Sequence, residues 1–183
     1  AQTICLLYYF AAAENTQLIR YFLHYELCRG RAAEWRQVMK IFYAISTHWD
    51  REWYKPFQGF RYDLAKVTDR VIDALESGKI KTFTFDGQTV VLEDYLEIRP
   101  QKREALKKLI KSGRLKVGPW YVMPDELLVS GESIIRNFLT GSRVAEQFDS
   151  KIWKYGYIND IFGHIAQLPQ ILNGFGINAA YMG

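Results

Sequence analysis

Four short polar clusters carry the residue types of hydrolytic and metal chemistry, and each one follows an apolar stretch. The densest is Ser46-Thr47-His48-Trp49-Asp50-Arg51-Glu52-Trp53-Tyr54. In extended backbone, residues i and i+2 project to the same side, so His48 and Asp50 can aim an imidazole nitrogen and a carboxylate oxygen at one point. Both are good Zn²⁺ ligands, although H-x-D alone equally describes a hydrogen-bonded structural pair. The second cluster, Tyr157 to His164, offers Asp160 ahead of Phe162-Gly163. A carboxylate there can be a metal ligand, a nucleophile or a helix N-cap, with His164 as a helix-start or supporting histidine. The third runs from Gly118-Pro119-Trp120-Tyr121 to Asp125-Glu126 and on to Ser130-Gly131-Glu132. Its two acids lie in a loop that can line the same cleft, and Ser130 or Gly131 suits a helix cap, with Glu132 favoured by the macrodipole. The fourth, Asp86-Gly87-Gln88, is a turn signal that also presents polar side chains.

The intervening elements explain how these clusters could meet. Ile41–Ile45 is a continuous apolar run, as expected of a strand buried on both faces. Phe60, Leu64, Val67, Val71, Ile72 and Leu75 mark a helix that Gly78 closes. Lys81–Phe85 reads as a strand, Val90–Tyr95 as a short element, and residues 100–112 as a basic amphipathic helix ended by Gly113. Leu115–Val122 is strand-like, Ile134–Leu139 helical, Trp153–Ile158 a strand, Ile165–Leu172 a short helix and Ile177–Met182 a last strand. Strands alternating with helices imply βαβ units and a parallel sheet. Polar groups after successive parallel strands are the layout of a barrel mouth.

Composition narrows the function classes. The 183 residues suit one ordinary domain, and 49% hydrophobic with 24% charged residues is a folded balance. Five Trp, 12 Tyr and 11 Phe fit a large core or a carbohydrate-facing cleft. No apolar run approaches the ~20 residues that span a bilayer. The net charge is +4, and eight basic residues stand between Arg99 and Lys116 against Glu104 alone. Ala105, Leu106, Leu109 and Ile110 repeat there at helical spacing, so the charges read as a solvated helix face rather than a nucleic-acid surface. Cys5 and Cys28 form no C-x-x-C pair, which excludes a disulfide scaffold and fits a reducing, cytoplasmic setting.

Residues 1–39 differ from 40–183: every Lys and every Asp falls at or after Lys40. Ile4–Ala13 is apolar and ends in three alanines, loosely like a signal-peptide h-region but without a basic n-region. A helix is expected from Asn15 through Leu23, making residues 1–39 an N-terminal helical extension ahead of a domain over 40–183. A sharper alternative takes Met39, directly before the first regular strand, as the natural start and the preceding segment as foreign to the fold. The last strand reaches Gly183 without a covering helix, so the expectation is a fragment.

Together, Thr47-His48-Trp49-Asp50-Arg51-Glu52-Trp53-Tyr54, Phe85-Asp86-Gly87-Gln88 with Leu92-Glu93-Asp94-Tyr95, Gly118-Pro119-Trp120-Tyr121 with Ser133 to Asn137, and Gly156-Tyr157 through Asp160-x-Phe162-Gly163-His164 resemble glycoside hydrolase family 38, the retaining α-mannosidases. The bacterial α-mannosidase and mannosylglycerate hydrolase branch is the most similar. The resemblance implies about the first half of a parallel (β/α) barrel, with His48, Asp50 and Asp160 as Zn²⁺ ligands and Asp160 also the catalytic nucleophile. It implies that Trp53 is part of the wall of the sugar subsite, that Phe162 packs beside Asp160 as a further substrate-binding residue, and that Asp125 and Asp86 contribute to the subsite. Ser46 and Asn159 stand where many relatives have a histidine and a proline. The fourth zinc ligand and the acid/base carboxylate are expected beyond Gly183, so the fragment alone is expected to be inactive. The implied substrate is a terminal α-mannoside or oligosaccharide, with a homo-oligomeric full-length protein left open. Alternatives are a mannosylglycerate or phosphorylated-mannoside hydrolase, and a non-catalytic sugar- or metal-binding remnant.

Overall fold

The computed structural model describes residues 4–9 and 41–182. Among these, six strands and five α-helices follow one another as β1 (Ile4–Tyr9), β2 (Ile41–Thr47), α1 (Phe57–Glu76), β3 (Phe83–Phe85), α2 (Val90–Ile98), α3 (Arg103–Lys111), β4 (Leu115–Lys116), α4 (Gly131–Glu146), β5 (Gly156–Ile158), α5 (Leu168–Gly174) and β6 (Ala180–Met182). Strands β1 to β4 form one sheet in sequential order, β5 and β6 a second, and every pair is parallel. The expected parallel α/β alternation is therefore present, as two sheets among the described residues. The two are tied where β4 ends: the Trp153 N–H donates to Val117 O at 2.9 Å, and the Trp120 indole N–H donates to Tyr157 O at 2.8 Å.

Several boundaries differ from the sequence reading for local reasons. The apolar run at the start is a strand over Ile4–Tyr9, in register from Ile4 against Ile41 to Tyr9 against Ser46. Six apolar residues read alike whether bound for a parallel sheet or for a leader. The helix expected over Asn15–Leu23 lies outside the described residues. Val90–Tyr95 is part of a nine-residue helix, another short apolar run whose period alone does not decide its type. The strand-like stretch Leu115–Val122 is a regular strand only at its first two residues, with one isolated parallel bridge further on from Trp120 to Gln88. Gly118, at φ 72°, and Pro119, which lacks an N–H, interrupt the ladder.

Packing follows the helical periodicity. On α1, Phe60, Leu64, Ala65, Val71, Ile72 and Leu75 are buried on one face. Each fully buried aliphatic side chain of this kind stabilises by about 1.5–3 kcal/mol. On α3, Leu106, Leu109 and Ile110 are buried while Lys108 and Lys111 are exposed, as its charge pattern implies. A second core cluster joins Trp120, Ile134, Phe138, Ile158, Leu168, Ile171, Leu172 and Ile177. Within it the Trp120 and Phe138 rings stack at 4.3 Å. Helix α4 reaches that close because Gly141 lies against the Pro119–Tyr121 backbone, where a Cβ would come within 2.6 Å of Pro119 O.

Candidate functional site at the strand ends

The ends of β2, β3 and β5 and the loop after β4 line a cavity of about 260 Å³. His48, Asp50, Trp53, Asp86, Asp125, Asp160 and Phe162 all line it. His48, Asp86 and Asp160 stand one or two residues past a parallel strand and the others further along the same connections, which is where α/β folds gather ligand-contacting groups.

The first cluster alternates as extended backbone requires. His48 and Asp50 turn toward the cavity, whereas Trp49 is 6% exposed and meets Phe60 of α1 edge-on at 5.9 Å. The segment beyond is fastened by Arg51, whose guanidinium grips the buried Asp94 of α2 through two hydrogen bonds of 2.7 and 2.8 Å. Such bidentate charge-assisted pairs fix direction as well as distance. Trp53 and Phe162 are 75% and 87% exposed, leaving two aromatic rings open at the cavity edge.

His48 is the hub. Its Nε2 lies 3.0 Å from Asp160 Oδ2 and 3.6 Å from Asp50 Oδ2, and its Nδ1 lies 3.0 Å from Asp86 Oδ2. Hydrogen bonding to the Asp86 carboxylate raises the His48 pKa above the ordinary histidine value; partial desolvation opposes this, and the charges of Asp86, Asp50 and Asp160 add to it. Asp86 and Asp160 both occupy left-handed backbone, at φ 49° and 55°, a region Asp tolerates better than most residues.

The family resemblance implies a zinc ion held by this donor set. Among the described residues, no group of three or more His, Cys, Asp or Glu already has the arrangement that holds a metal ion. The donor chemistry nevertheless matches. With a proton on Nδ1 toward Asp86, the Nε2 lone pair faces two carboxylate oxygens, and only a proton or a cation between them relieves that repulsion. Zinc takes N and O donors of this kind at about 2.0–2.2 Å, so His48, Asp50 and Asp160 are the residues that would hold it.

Two residues gain roles that spacing did not reveal. Gln88 is 3% exposed; its amide donates to Trp49 O at 3.0 Å and its oxygen accepts the Met123 N–H at 3.1 Å, tying three cavity loops together. Glu126, expected beside Asp125 in the cleft, is 1% exposed. It accepts the Ile165 N–H at 2.8 Å and lies 3.3 Å from His164 Nδ1, bracing the loop that carries Asp160. Both are polar side chains bridging segments more than 30 residues apart, for which local sequence holds no signal. Ser130 caps α4 by accepting the Ser133 N–H at 3.1 Å, one of the two capping residues the sequence offers.

Comparison with known proteins follows the same residues. The model of the N-terminal domain of glycosyl hydrolases family 38 matches residues 38–183. A "Putative mannosylglycerate hydrolase" of Halalkalibacterium halodurans is 45% identical over 138 residues, covering 75% of this chain and 15% of that protein. "Alpha-mannosidase 2" of Spodoptera frugiperda is 31% identical over 145 residues, 78% of this chain and 13% of that protein. The crystal structure of an alpha-mannosidase from Enterococcus faecalis V583 superposes with a TM-score of 0.72 at 39% identity, covering 75% of this chain and 16% of the other. The chain thus spans about one seventh of the length of the curated relatives it matches.

Proposed function

Since the chain belongs to glycosyl hydrolase family 38, we propose that the whole protein hydrolyses α-mannosides and that the strand-end cavity is the N-terminal share of its active site. The observation that carries this reading is the convergence of His48 Nε2, Asp50 and Asp160 at one exposed point. Asp160, with its side chain 72% exposed, is the nucleophile: its carboxylate attacks the anomeric carbon and forms a mannosyl ester. Water then releases the sugar with the starting configuration restored. His48, Asp50 and Asp160 would hold Zn²⁺, which supplies a positive charge among the carboxylates and a Lewis-acidic anchor for sugar hydroxyls. Trp53 and Phe162 give the sugar its apolar walls, and Asp125 is placed to accept from a hydroxyl.

Retaining hydrolysis needs a second carboxyl group about 5–5.5 Å from the first to protonate the leaving oxygen. Of the nearby candidates, Asp86 and Glu126 are buried against His48 and His164. The family resemblance implies that the donor and a further zinc ligand come from the rest of the protein, so the 183-residue chain alone is expected not to turn over; Asp125, which lines the cavity, is the alternative donor. In the whole protein, an aryl α-mannoside should be hydrolysed with α-mannose as the first product seen by NMR. Release of β-mannose first, or no turnover with zinc present, refutes the reading. Mannosylglycerate is a second candidate substrate, favoured by the name of the 45% identical relative. A higher kcat/KM on mannosylglycerate than on the aryl mannoside would select it.

A further inference from the structure

Asp86 was expected to touch substrate, yet its surroundings suit another task. The side chain is 1% exposed, and one oxygen, Oδ2, carries its contacts. That oxygen accepts the Trp49 N–H at 2.9 Å, lies 3.0 Å from His48 Nδ1 and takes a weaker bond from the Gln88 amide at 3.4 Å. The carboxylate therefore sits behind the imidazole, on the side away from Asp50 and Asp160. Gln88 is itself fixed by Trp49 O and the Met123 N–H, and the adjoining Gly87 packs so closely on Tyr157 that a Cβ would come within 2.9 Å of the Tyr157 Cβ. Backbone, amide and packing all hold the Asp86 oxygen in one place.

We infer that Asp86 is a positioning residue: it keeps the proton on Nδ1 of His48 and thereby presents the unprotonated Nε2 to the point shared with Asp50 and Asp160. The two ring nitrogens of histidine are distinct, and the hydrogen bond made by one decides which is free to act. A carboxylate behind a metal-binding histidine also raises its basicity, and losing such a partner weakens metal affinity about 10–100-fold. The consequence for zinc rests on the proposed function; the effect on the tautomer does not.

The chain has three histidines, so nitrogen-15 NMR at alkaline pH can follow His48 individually, assigned by its loss in His48→Asn. Asp86→Asn and Asp86→Gly both tolerate the left-handed backbone. Asn keeps an acceptor but drops the charge, and Gly removes both. The wild type should show the proton on Nδ1, Asp86→Asn should retain that pattern, and Asp86→Gly should lose it. Zinc affinity, read by competition with a chromogenic chelator, should fall about tenfold in Asp86→Asn and up to about 100-fold in Asp86→Gly. An Nδ1 pattern that survives Asp86→Gly overturns the inference, whatever the zinc result. A wild-type chain without zinc affinity strikes the metal reading alone and leaves the tautomer to decide for Asp86.

Discussion

Two carboxylates face His48 from opposite edges of its ring, in similar backbone and in different surroundings. Asp86, just past β3, and Asp160, just past β5, have φ angles of 49° and 55° and each place an oxygen 3.0 Å from a ring nitrogen. Asp86 is 1% exposed and Asp160 72%. The β3 end is roofed by the first cluster, with the Trp49 N–H and the Gln88 amide on the carboxylate. The β5 end opens on the cavity beside an exposed Phe162. Under the proposed function the two aspartates divide the work by what packs over them, the buried Asp86 orienting its neighbour and the exposed Asp160 being open to a sugar.

The largest contrast should appear in turnover. Asp160→Ala in the whole protein should lower kcat by about 10⁴-fold or more, the scale of losing a covalent nucleophile, while its melting curve stays near that of the wild type. A large fall in stability instead would move Asp160 to the structural side of the comparison. The next effect is linkage to metal. Zinc at 100 times its dissociation constant should stabilise the chain by about 2.7 kcal/mol. The increment should vanish with EDTA or in His48→Ala, as read by denaturant titration. Retention of the increment in His48→Ala would place the metal elsewhere.

Smaller effects test the frame behind each side. Trp120→Phe removes the N–H that satisfies Tyr157 O and should cost about 1–3 kcal/mol, measured by urea unfolding, because it loosens the β5 end that carries Asp160. Phe162→Ala should change stability by less than about 0.5 kcal/mol, since the ring is 87% exposed. It should nevertheless raise KM for the mannoside in the whole protein. A stability loss above that level would show that the ring is packed rather than available to substrate.

Much of this contrast was legible in the sequence at the level of position. The alternation of apolar runs and helical stripes placed His48, Asp86, Asp125 and Asp160 after strands, and those four line one cavity. The i, i+2 rule put His48 and Asp50 on one side, and both line that cavity. What stayed hidden was direction. Asp is a common turn residue, so nothing local announces that Asp86 turns beneath His48 while Asp160 turns outward. Gln88 and Glu126 were unreadable as bridges because their partners, Met123 and Ile165, lie 35 and 39 residues away. No helix among the described residues is long and apolar enough to cross a membrane, as the absence of a long apolar run implied.

The most direct test is to identify the carboxylate that carries the sugar. The whole protein would be treated with a fluorinated α-mannosyl fluoride that forms the glycosyl ester faster than water removes it, then digested with protease and mapped by mass spectrometry. The account predicts one added fluoromannosyl unit, the anomeric fluoride having left, on the peptide containing Asp160, and none in Asp160→Ala. A label on Asp50, Asp86, Asp125 or any carboxylate outside this chain would contradict it.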